Sequence, residues 1–151
     1  MPLVLGEEFD RLIAALERAR LDYALAGGLA VAVWGAPRAT KDIDLLVSKE
    51  QLESVKAVAR ECGFTLEAGP MTFRDGMELR RLNKVQDGDL LTLDLILVND
   101  DLAEAWRTRR RLSTLRGELW VVDRQALIGM KLRAGRPQDV FDVERLEDLD
   151  R

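Results

Sequence analysis

Between Leu25 and Val47 the chain reads LAGGLAVAVWGAPRATKDIDLLV, and no other stretch restricts its folding as much. A short apolar run, Tyr23 to Ala26, reads as a strand ending at Gly27-Gly28. Leu29 to Trp34 is nearly all apolar, which predicts a short buried helix, and Gly35-Ala-Pro37 stops it. Ile43 to Val47 is strand-like again, with Asp42 and Asp44 at its start. Successive side chains of a strand alternate faces, so these two carboxylates share one side. Like charges held that close repel each other unless a cation lies between them. A divalent metal is their natural partner.

Asp94 makes the same demand. It interrupts the apolar run LLTLDLILV, with Leu93, Leu95 and Leu97 on one face and Asp94, Ile96 and Val98 on the other. A carboxylate in so apolar a strand is costly unless something compensates its charge. If this strand lies beside Ile43 to Val47, Asp94 completes a three-carboxylate cluster. Two-metal phosphoryl-transfer sites need such a cluster, with ions about 3.5–4 Å apart. Gly27-Gly28 on its own reads as a plain tight turn. Joined to the buried helix and the Asp-x-Asp strand, it reads as a place where a phosphate approaches the backbone and meets the N–H groups of a helix start.

Composition narrows the chemistry further. There is no histidine, which removes Ser-His-Asp and Cys-His schemes and any His-ligated zinc. Carboxylate ligands favour hard ions, magnesium or manganese. The single cysteine, Cys62, forms no intrachain disulfide and suits a reducing cytoplasm. The net charge of -4 supplies no global attraction to nucleic acid, so any such contact needs a local basic patch. The opening MPLVLGEEFDRL lacks the basic start of a signal peptide. No apolar run approaches the roughly 20 residues that span a bilayer. The expectation is a soluble cytoplasmic protein with no membrane partner.

The 151 residues fit one domain, residues 1–151, with no internal repeat or linker. Glu7 to Arg20 carries Phe9, Leu12, Ile13 and Leu16 on one helical stripe. Ser48 with Gln51 is a capping-box signature for a second amphipathic helix ending at Gly63. Phe64 to Glu67 predicts a strand and Ala68 to Gly76 a loop. Strands near Met77 to Val85 and Leu90 to Val98 turn at Asp87-Gly88. A helix capped by Asn99 or Asp100 is expected to run to about Arg110, then a strand pair over Leu112 to Val122. Helices over Arg124 to Ala134 and Gln138 to Leu149 close the chain. The order predicts an α/β fold: a mixed β-sheet covered by helices.

Ala26-Gly27-Gly28 followed by Asp42-Ile43-Asp44 resembles the signature of the polymerase-β-like nucleotidyltransferase superfamily. Arg38-x-Thr40-x-Asp42 is similar to its abortive-infection, AbiEii-like branch, whose members include toxins of toxin–antitoxin pairs. Leu127-Ile128-Gly129-Met130-Lys131-Leu132, with Gly135-Arg136, Gln138-Asp139 and Asp142, resembles that branch's helix-borne lysine and its Arg and Asp pair. The resemblance implies a nucleotidyltransferase fold and transfer of a nucleoside monophosphate from an NTP to a hydroxyl of RNA, protein or a small molecule, with an antitoxin as candidate partner. It also implies roles. Gly27 and Gly28 hold the nucleotide phosphates, and Asp42 and Asp44 bind magnesium. Asp94 binds metal or acts as base. Lys131 contacts the triphosphate, and Asp139 positions Lys131 or the nucleotide. Arg38, beside the carboxylates, is a further phosphate-binding candidate. The alternative is an inactive nucleotide- or partner-binding module.

Plainer readings stand beside these. Lys131 and Arg133 also suit the wet side of a terminal helix, and Arg136 an exposed turn. Asp142 suits solvent or an arginine partner as well as a site. Arg107, Arg109, Arg110 and Arg111 form the one basic cluster; it reads first as a helix's wet face and second as an RNA phosphate contact. Trp34, Trp106 and Trp120 read as packing residues.

Overall fold

Helix α1 (Leu5–Arg18) buries Phe9, Leu12, Ile13 and Leu16, the stripe its periodicity predicts. Leu12 and Leu16 are wholly enclosed, each stabilising the fold by about 1.5–3 kcal/mol. The computed structural model describes residues 2–37 and 39–149. Among them, strand β1 (Ala24–Ala26) leads straight into helix α2 (Gly27–Val33), and strand β2 (Asp42–Val47) follows. The Ser48 hydroxyl accepts from the Gln51 amide at 3.3 Å and opens a short 3-10 turn before helix α3 (Leu52–Glu61). The reciprocal half of the capping box is replaced: the Gln51 side chain accepts from the Asp22 amide at 2.9 Å, tying the α3 entrance to the start of β1.

Strands β3 (Leu66–Glu67) and β4 (Met71–Thr72) are two residues each and both pair with β5 (Glu78–Gln86). Asp87 and Gly88 both take positive φ, +52° and +83°, the two-residue turn that joins β5 to β6 (Asp89–Leu97). The helix expected to reach Arg110 is shorter. A 3-10 turn capped by the Asn99 side chain leads into α4 (Ala103–Arg107), which stops there. The Thr108 hydroxyl takes the Glu104 carbonyl and the Arg109 guanidinium takes the Trp106 carbonyl, both at 2.8 Å. These side chains satisfy the terminal carbonyls, and the chain turns into β7 (Arg110–Thr114) and β8 (Gly117–Val121). Helices α5 (Arg124–Ala134) and α6 (Pro137–Asp148) finish the fold, with Gly135 at φ +66° closing α5.

All eight strands form one sheet ordered β3-β5-β6-β2-β1-β8-β7, with β4 beside β5. The β2–β6 and β1–β8 pairs are parallel and the others antiparallel. This is the mixed sheet covered by helices that the element order predicts. Its centre is the driest part: every residue of β1 and Leu45, Leu46, Leu93 and Leu95 are fully buried.

Candidate active site

The β2–β6 register sets the site. Asp44 stands opposite Asp94 and Asp42 opposite Thr92, so the three carboxylates share one sheet face. Neighbouring strands lie about 4.8 Å apart. One strand further out, Arg81 of β5 faces Asp94. Its guanidinium forks onto that carboxylate, Nε donating to Oδ1 at 2.8 Å and Nη2 to Oδ2 at 3.0 Å. Asp94 is nearly enclosed, whereas the Arg81 side chain is 41% exposed. The register thus brings the three expected carboxylates to one face, and one of them is already engaged by a cation. Among the described residues no three His, Cys, Asp or Glu side chains are gathered as a ready metal shell.

Gly27, at the β1–α2 junction, has φ +64°. A Cβ there would run into the Asp44 carboxylate, 2.7 Å from its Cγ. Glycine is required twice over, by the backbone and by the close approach of Asp44. Burial pushes the Asp44 carboxyl up to about 6; the charges of Asp94 and Asp42 push the same way, and Lys131 and Arg136 only partly offset them. Around Asp44 the carboxylate charges are thus only partly offset. An all-oxygen donor set with that deficit fits a hard divalent ion, and magnesium is commonly held by one or two carboxylates plus substrate phosphates.

Above this face, Lys131 of α5 is buried and pairs with Asp142 at 2.9 Å and Asp139 at 3.3 Å, both on α6 and both fully enclosed. The Arg136 guanidinium also grips Asp139, at 2.7 and 3.2 Å. Burial works against the charge of Asp139, but the Arg136 hydrogen bond and the nearby Lys131 and Arg136 charges outweigh it and hold the carboxyl below its usual range. Lys131 and Asp142 are therefore not on a wet helix face. Arg136 is the exposed turn residue its position predicts, yet it is committed to Asp139.

A cavity of about 530 Å³ lies between sheet and helices. Gly27, Gly28, Asp42, Asp44, Asp94, Lys131 and Asp139 all line it, joined by Thr40, Arg81, Arg133 and Arg136. Phe73, Met77, Leu79, Ile96, Leu127 and Met130 supply apolar wall. Arg38 lies outside the described residues.

Arg81 is absent from the sequence-based candidates, although a signal existed. A two-residue turn at Asp87-Gly88 pairs Gln86 with Asp89, and counting back along that hairpin brings Arg81 opposite Asp94. The basic cluster is elsewhere and mostly occupied. Arg107 binds Glu104, Arg110 binds Asp123 and Arg111 binds Glu17. Arg109 stacks on Trp106 and Trp120, 4.1 and 5.2 Å from the ring centroids. Trp34, Trp106 and Trp120 are partly buried packing residues, with the Trp34 indole donating to the Val122 carbonyl at 2.9 Å.

A family model described as aminoglycoside-2''-adenylyltransferase matches residues 8–87. That span holds Gly27, Gly28, Asp42, Asp44 and Arg81 and ends before Asp94 and Lys131. No curated protein matches the sequence. Among solved structures, ANT(2'')-Ia in complex with adenylyl-2''-tobramycin is similar at 18% identity and a TM-score of 0.65, over 94% of this chain and 87% of that one. A protein from Thermotoga maritima, provisionally described as a nucleotidyltransferase, is 14% identical with a TM-score of 0.65, over 97% and 96% of the two chains. Lincosamide antibiotic adenylyltransferase LnuA, lincomycin-bound, is 16% identical with a TM-score of 0.62, over 93% and 95%. At these identities the likeness is one of fold.

Proposed function

The chain belongs to the aminoglycoside-2''-adenylyltransferase family, within the polymerase-β-like nucleotidyltransferase superfamily, and from that premise we propose that it transfers a nucleoside monophosphate from an NTP to a hydroxyl of a small molecule. One observation carries the reading: a single cavity joins the Gly27-Gly28 turn, the three carboxylates and Lys131.

Asp42 and Asp44, with Asp94 beside them, would hold magnesium or manganese. Such an ion, when bound, neutralises phosphate charge and steadies the leaving pyrophosphate. The protein's own part is positioning and charge. The backbone at Gly27 and Gly28 would admit the phosphates close to Asp44, and a side chain at Gly27 would collide with that carboxylate. Lys131 and Arg136, both set in place by Asp139, contribute positive charge on the helical side. Asp94 either shares the ion or takes the hydrogen of the acceptor hydroxyl. The apolar wall of Leu79, Ile96 and Phe73 suits a small acceptor with an aliphatic or aromatic body, in keeping with the antibiotic acceptors named for ANT(2'')-Ia and LnuA.

The AbiEii-like reading is the second. It takes support from the Arg38-x-Thr40-x-Asp42 spelling and the Lys131 helix, and it brings an antitoxin partner and an RNA or protein acceptor. The committed arginines of the 107–111 run weigh against RNA. No helix among the described residues is long and apolar enough to cross a membrane, and the cytoplasm, where NTPs are abundant, is the proposed setting.

The test is incubation of the protein with each labelled NTP and magnesium, first with a panel of hydroxylated antibiotics and then with cell extract. Label is expected on a small molecule, and Asp44→Ala should abolish it. Label on RNA or protein would favour the second reading. Transfer by Asp44→Ala at the parent rate would remove the chemistry from this site, and binding of NTPs without transfer would favour the inactive module.

A further inference from the structure

Among the described residues, Arg81 is the cation whose guanidinium closes directly on a member of the carboxylate trio. Both Asp94 oxygens are taken, at 2.8 and 3.0 Å, while the arginine side chain is 41% exposed and so within reach of an anion entering the cavity. Asp94 is the innermost of the three carboxylates, 4% exposed against an exposed Asp42. Burying a carboxylate beside two others is costly, and here the protein supplies its own counter-cation. Lys131 cannot fill that role, because Asp139 and Asp142 hold its ammonium.

We propose that Arg81 reserves Asp94: it closes the third carboxylate to divalent ions in the free protein and releases it when a triphosphate offers the guanidinium another anion. The inference rests on reading the site as a divalent-metal site and goes beyond it by setting an order of loading. The empty cavity holds an ion weakly, through Asp42 and Asp44. Ion and nucleotide enter together, because the triphosphate draws Arg81 away and Asp94 opens. Arg81 is a positioning residue in this scheme, acting through Asp94.

The experiment measures manganese affinity by electron paramagnetic resonance on the protein without nucleotide. R81Q is expected to bind the ion more tightly than the parent, on the order of tenfold, since coupling between neighbouring sites is typically worth roughly 5- to 150-fold. The double variant R81Q/D94N should return to the parent affinity, which a merely structural role for Arg81 would not produce. R81K keeps a cation but loses the fork, and it carries the test if R81Q does not fold; a smaller gain is expected. Equal or weaker binding in the folded Arg81 variants overturns the proposal, as does a gain that persists in R81Q/D94N. Because affinity is read without turnover, failure here is distinguishable from failure of the transferase assignment.

Discussion

At the scale of single residues, Gly27 and Asp44 form one unit. Gly27→Ala would face a left-handed backbone penalty of about 1–3 kcal/mol and push its methyl into the Asp44 carboxylate. We expect a lower melting temperature and a fall in transfer rate of at least about a hundredfold, because displacements near 1 Å cost that much in a preorganised site. Steady-state kinetics at saturating NTP check it. Asp44 itself is held charged at a cost. Its folded-state pKa of about 6 lies above the ordinary 3.8, so the group's contribution to stability is intact below about pH 4 and is lost as pH rises through 6. Asp44→Asn should therefore stabilise the metal-free protein at pH 7, on the order of 2 kcal/mol, and should melt at the same temperature with and without magnesium if the proposed site holds the ion. Thermal melts between pH 4 and 8, with and without magnesium, read both effects. The carboxylates announced themselves in the sequence because a charge in an apolar strand is conspicuous. Arg81 did not, because ELRRLNKVQ is polar at most positions and only the hairpin register singles that arginine out.

Among the elements, the α5–α6 pair shows what periodicity can and cannot convey. Both helices lie close to where their apolar spacing, Gly135 and Pro137 place them. What the spacing leaves open is that their contact is partly ionic: Lys131 is enclosed by Asp139 and Asp142, three charged residues that resemble a solvated face in sequence. Lys131→Ala removes the ammonium that joins the two helices and should cost about 3–5 kcal/mol, the usual result of breaking a buried pair from one side. Adding Asp142→Asn should recover part of that loss, and urea titrations of the two variants separate charge from packing. The early end of α4, and with it the start of β7, was harder to foresee. Arginine favours helices, nothing between Trp106 and Arg111 breaks one by glycine or proline, and the ending depends on Thr108 and Arg109 reaching back to the last carbonyls.

For the molecule as a whole, the cavity lies between two bodies that touch few common residues: the β5–β6–β2 face and the α5–α6 pair. A ligand seated there contacts both. Magnesium with an accepted NTP at a hundred times its dissociation constant should add about 2.7 kcal/mol and raise the melting temperature by roughly 5–10 °C, while either component alone gives much less. Scanning fluorimetry with all four NTPs would also reveal which base is preferred. Seven of the eight strands were legible from the chain, whereas β4 lies inside the stretch Ala68 to Gly76 that reads as a loop; the strand order was not legible, since local patterns do not say which strands become neighbours. That order has a consequence in time. Asp44 and Asp94 meet only across β2 and β6, and α3 with the β3–β5 strands must be made between them. A chain still emerging from the ribosome owns its first two acidic groups long before the strand that aligns the third. The proposed site is in this way completed only once the central sheet has closed.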